Sequence, residues 1–75
     1  MELKEFIANF AEQFDDTDAS EISASTNFRD LDEWGSLTGM SVIAMVKAVY
    51  GKTVTSAEIR LCNTVEELFN LVAEK

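Results

Sequence analysis

Apolar residues open the chain at helical spacing. Leu3, Phe6, Ile7, Phe10 and Phe14 recur three and four residues apart, the periodicity of an amphipathic helix. Glu2, Glu5, Asn9, Glu12 and Gln13 fall on the other side. The aromatic stripe reads as core, and each buried Phe or Ile contributes roughly 1.5–3 kcal/mol. Residues 15–27 break the pattern with a polar, serine-rich loop in which Ile22 is the one strong apolar anchor. Phe28 and Leu31 then return as a local hydrophobic clamp.

The next helical pattern runs from about Leu37 to Tyr50 and stops at Gly51, since glycine tolerates the left-handed conformation that ends helices. At about 100° per residue, Val42, Val46, Val49 and Tyr50 point one way and are expected to fill the core. Leu37, Met40, Ser41, Ala44, Lys47 and Ala48 point the other way. A helix on the outside of a bundle normally makes that second face charged. Here it is mostly apolar with one lysine, so it is expected to be a docking surface for partner proteins. Residues 55–61 predict one or two short helical turns started by Thr55 or Ser56. A last helix begins at Thr64, with Glu67 at capping-box spacing and Val65, Leu68, Phe69 and Val72 as its apolar face. No proline, strand-like run or internal repeat interrupts the series. The prediction is an all-α chain, a small four-helix bundle of three main helices and one short one, forming a single domain over residues 1–75.

Composition narrows the functions open to such a bundle. A chain of 75 residues buries only roughly 60% of its unfolded surface, which leaves little room for an internal active site. The net charge of -8 argues against nucleic acid, whose phosphates need a basic footprint, and against an anionic membrane surface. Histidine is absent, which removes Ser-His-Asp and Cys-His catalysis and most zinc sites. With no convincing acid pair either, no enzyme activity is expected. Cys62 is the single cysteine, so no intramolecular disulfide forms, and it reads as a small buried hydrophobe in a reducing compartment. Met-Glu-Leu-Lys-Glu at the start lacks an apolar run, predicting no signal peptide and no membrane span; a cytoplasmic protein is expected, and a monomer. The loop Asp16-Thr-Asp18-Ala-Ser20 imitates the first ligands of a calcium loop. It carries Glu21 where the turn needs glycine and Asn27 where it needs a bidentate glutamate, so no metal is expected.

One serine stands apart. Asp and Glu are absent from Trp34 to Ala57, and the greasiest helix of the chain opens within that stretch, on Gly35-Ser36-Leu37. A serine at a helix start is usually an N-cap, yet Gly39 stands where a capping box would need an acid or amide. The free N–H groups at a helix start suit a phosphate. Ser20, Ser23 and Ser25 sit in a polar loop with no apolar helix behind them, and Ser56 precedes only a short one.

Phe28-x-x-Leu31 followed by Trp34-Gly35-Ser36-Leu37, a long second helix, a short third and a final Thr-Val-Glu-Glu-Leu helix resemble an acyl carrier protein over essentially the whole chain. The resemblance implies that Ser36 receives 4′-phosphopantetheine from coenzyme A through a phosphopantetheinyl transferase. The arm's thiol would then hold an acyl or aminoacyl group as a thioester for acyl-loading and acyl-transferring enzymes. An attached acyl chain is then expected to shelter partly between the second and third helices, where Phe28, Met40, Ile59, Leu61 and Cys62 are the apolar side chains near the seam. Two features depart from the family. Gly35 replaces the usual Asp before the serine, a form similar to some stand-alone carriers of specialised pathways. Thr38, Ser41 and Lys47 stand where the second helix usually carries acids. The alternative is an unmodified helical interaction module that uses the same face.

Overall fold

In the computed structural model, which describes residues 2–75, the first apolar stripe is only partly helical. Helix α1 spans Leu3–Ala11 and buries Phe6, Phe10 and Ala11. Phe14 lies beyond it. A turn in which the Gln13 and Phe14 N–H groups donate to Phe10 and Ala11 swings that ring back into the core. The polar loop is more ordered than its composition predicts, because a short 3-10 turn, Ala19–Glu21, lies within it and a second, Phe28–Asp30, follows it at once. Asp18 accepts from the Ser20 N–H at 2.9 Å and Glu21 accepts from the Asp18 N–H at 3.3 Å, so a reciprocal capping box closes the first turn.

Helix α2 spans Ser36–Tyr50 and ends at Gly51, whose φ of 68° is the left-handed value only glycine adopts without strain. Helix α3 is the short Ser56–Arg60 and helix α4 is Val65–Ala73. Thr55 with Glu58, and Thr64 with Glu67, form capping boxes at their starts. α1 packs against α4 and α2, and α2 packs against α3. An isolated antiparallel bridge, Asn27 to Thr64, ties the loop to the start of α4. Among the described residues there is no strand, and the architecture is the expected small all-α carrier-type bundle.

The core is aliphatic around an aromatic spine. Phe6, Phe10, Phe28, Val42, Val46, Val54, Val65, Leu68 and Val72 are fully buried. Phe6 meets Phe69 edge-on at 5.6 Å and Phe10 meets Phe28 at 5.7 Å, contacts worth about 0.5–1.5 kcal/mol each beyond burial. One expected core residue is misplaced. Val49 is 53% exposed, although its phase matches Val42 and Val46. Periodicity gives the direction of a side chain and not the length of the cover above it. In the last turn of α2 that cover is Phe6 and Asn9 reaching Tyr50, and Val49 lies outside it. Met45, which the sequence reading places on neither face, is buried.

Candidate functional site

The segment before α2 is held from two sides. Trp34 is half-buried, with its ring 4.6 Å from Phe28, 6.2 Å from Phe10 and 6.4 Å from Phe14. That stacking fixes the turn to the core. Glu33, next to it, collects the other loop. Its carboxylate accepts from the N–H groups of Asp15 at 2.9 Å and Asp16 at 2.8 Å, and from the Thr17 hydroxyl at 2.6 Å. The Thr17 hydrogen bond is the main cause that lowers the Glu33 pKa below its ordinary value; desolvation opposes it and the backbone N–H groups add to it. The Glu33 carbonyl also accepts from the Thr38 hydroxyl at 2.8 Å, clipping the turn onto the first turn of α2.

Ser36 emerges from this frame exposed, as the first residue of α2. The N-cap is Gly35, in extended backbone that any residue adopts, and it offers no side chain to the helix. Among the described residues, the N–H groups of Ser36, Leu37 and Thr38 have no hydrogen-bond acceptor, and the helix's first bond is Gly39 N–H to the Gly35 carbonyl. Helix α1 also starts without a side-chain cap, but the starts of α3 and α4 differ. In α4 the Val65 and Glu66 N–H groups donate to the carbonyls of Thr26 and Ala24, and that of Glu67 donates to Thr64 Oγ1. In α3 the Glu58 N–H donates to Thr55 Oγ1 while the Glu58 carboxylate covers Thr55. The long, apolar helix is left with open donors and roughly half a positive charge at its start.

Ser36 also borders a cleft of about 350 Å³ between α2 and α3. Trp34, Gly39, Met40, Ile43 and Ile59 make its apolar surface, and Arg29, Arg60 and Ser56 its polar one. Arg29 is held in place: its Nε donates to the Cys62 carbonyl at 2.9 Å and its Nη2 to the Ile59 carbonyl at 2.8 Å. The guanidinium therefore satisfies carbonyls at the end of α3 while lying 5.7 Å from the Phe28 ring centre.

The expected site residues separate on this geometry. Leu37, Met40, Ala44, Lys47 and Ala48 form an exposed strip along α2, with Leu37 80% and Met40 65% exposed, and Ser41 is half-buried beside them. Of the five residues expected along the helix seam, Met40 and Ile59 line the cleft. Phe28 and Cys62 are buried in the core instead, and Leu61 points into solvent at 80% exposure. Burial pushes the Cys62 thiol up from its ordinary pKa, with the Glu67 charge adding to it. Sequence reasoning missed Arg29, Arg60, Gly39 and Ile43. A signal existed for the last two, since Ser36, Gly39, Met40 and Ile43 follow one another at helical spacing. None existed for the arginines, which tertiary packing brings together.

The surroundings of Ser36 are open. A Cβ built on Gly35 would have nothing within 4 Å, and Gly35 and Ser36 are both exposed, so the space beside the serine is open. Among the described residues no helix is long and apolar enough to cross a membrane. Comparison with curated proteins and with solved structures found no match. A family profile described as "Phosphopantetheine attachment site" matches residues 4–72. Members of that family bind 4′-phosphopantetheine covalently, interact with enzymes such as transferases, and carry rather than catalyse. With the profile spanning nearly the whole bundle, the chain belongs to the phosphopantetheine-attachment family and is a carrier protein.

Proposed function

We propose that Ser36 is the attachment point of the arm and that the protein is an acyl carrier of a dedicated biosynthetic pathway. When attached, the arm supplies a terminal thiol that holds an acyl or aminoacyl group as a thioester. The observation that carries this reading is the pairing of an exposed Ser36 with an uncapped helix start. Ser56 is the instructive competitor, because it too begins a helix and lines the same cleft. There the Glu58 carboxylate already accepts from Thr55 N–H and Oγ1 and would repel a phosphate. At Ser36 no carboxylate occupies the corresponding place.

The chain's own residues divide the remaining work. Trp34 and Glu33 hold the serine turn in register with the core. Leu37, Met40, Ala44 and Ala48 offer partner enzymes an apolar strip in which Lys47 is the charge. Met40, Ile43 and Ile59 give a short acyl chain an apolar wall to rest on. Incubation with coenzyme A and a broad-specificity phosphopantetheinyl transferase tests the assignment by intact mass. The wild type and Ser56→Ala are expected to gain one arm and Ser36→Ala none. A gain of equal extent in Ser36→Ala overturns the reading.

A further inference from the structure

The protein segregates its charge between two clefts. Asp16, Glu21, Asp30, Asp32 and Glu33 line one of them. The other, bordered by Ser36, is lined by Arg29 and Arg60 and by no carboxylate. These are the chain's two arginines, in a sequence that holds 14 acidic residues. Glu58, the acid nearest in sequence to Arg60, is engaged by Lys75 at 2.7 Å. Among the described residues Arg60 forms no ion pair.

We propose that this cleft is a phosphodiester-docking site: Arg60, with Arg29 behind it, holds the phosphate of the arm attached to Ser36 against α3. The proposal rests on Ser36 being the attachment point. A guanidinium has five N–H donors in a fixed fork that matches phosphate oxygens. Arg29 uses two groups of that fork, Nε and Nη2, on the carbonyls of Cys62 and Ile59, so it is already oriented and keeps donors to spare. Arg60 is the exposed last residue of α3 and lines the same cleft. A solvated arginine attracts a dissolved anion weakly. A phosphate tethered at the cleft's own rim is different, because its effective concentration is of millimolar order and little association entropy is lost. Docking fixes the first atoms of the arm beside α2 and α3 and leaves the thiol end to reach a partner.

Phosphorus-31 NMR of the arm-loaded protein tests this without any partner enzyme. The phosphodiester resonance is expected to move in Arg60→Gln toward the value of the same protein unfolded in urea, and to move part of that way in Arg60→Lys, which keeps the charge and loses the fork. Raising salt from about 0.1 M to about 1 M, which shortens the screening length from roughly 10 Å to 3 Å, should shift the wild type the same way and Arg60→Gln little. Amide spectra of the variants confirm that the fold is kept, as expected for an exposed side chain. Absence of a mass gain on Ser36 defeats the attachment reading and this proposal with it. Full loading with a phosphorus resonance indifferent to Arg60 and to salt overturns the docking site alone. A shift that depends on Arg60 only after a carboxylate-ended acyl group is loaded assigns the arginines to the cargo, and equally overturns it.

Discussion

Glu33 is the residue on which the serine turn hangs, for it takes three hydrogen bonds from residues 15–17 and lies three positions before Ser36. Its folded pKa is lowered, so the charged form is favoured by folding. The stability it contributes is present above its unfolded pKa, roughly 4.3, and is lost as pH falls through the lower folded value. Glu33→Gln should therefore lower the melting temperature at pH 7, with the gap to wild type closing as pH is taken down to about 3. A gap that stays constant with pH would show that the carboxylate's charge plays no part. Trp34 acts through burial. Trp34→Ala removes contacts to Phe10, Phe14 and Phe28 and should cost about 2–4 kcal/mol in urea unfolding. An unchanged midpoint would mean that the ring does not anchor the turn. Neither role was legible in the sequence. A Trp before the serine reads as part of a motif, and nothing local says that Glu33 reaches back to residues 15–17.

At the scale of the helix, most of the fold was legible because it is written in short-range terms. Capping-box spacing at Thr64 and Glu67, the glycine stop at Gly51 and the apolar faces of α1 and α4 all stand where local rules put them. The misplacement of Val49 and the turn that carries Phe14 both arise where one helix outruns the cover of another. The starts of α2 and α4 make a matched experiment. Thr64→Ala removes a side-chain cap and should cost about 1 kcal/mol. Gly35→Asp adds a cap where none exists, in backbone that any residue adopts and with open space for its Cβ. It should stabilise the protein by a few tenths of a kcal/mol. A loss of stability in Gly35→Asp would mean that the glycine serves the fold rather than access to the hydroxyl.

Over the whole molecule, the parts proposed to serve function are surfaces, and their sequence signals differ in strength. The exposed strip of α2 was legible as a missing charge pattern, and Leu37 and Met40 are exposed accordingly. The cleft was only half legible, since its far wall comes from Arg29, Ile59 and Arg60, residues remote from Ser36 in the chain. If the strip is the docking surface, Met40→Asp should leave folding stability within about 0.5 kcal/mol, as its side chain is largely exposed. The same change should raise the KM of a phosphopantetheinyl transferase roughly tenfold, through lost burial and a charge left at a dry contact. Lys47→Ala should raise it far less. The reverse ranking would place recognition on the acidic loops instead.

The central claim is the position of the arm, and peptide mapping of the loaded protein addresses it directly. After protease digestion, tandem mass spectrometry of the peptide containing residues 34–40 should locate the whole phosphopantetheine mass on Ser36, with Ser20, Ser23, Ser25, Ser41 and Ser56 unmodified. The arm found on Ser56, or spread over several serines, would contradict the account.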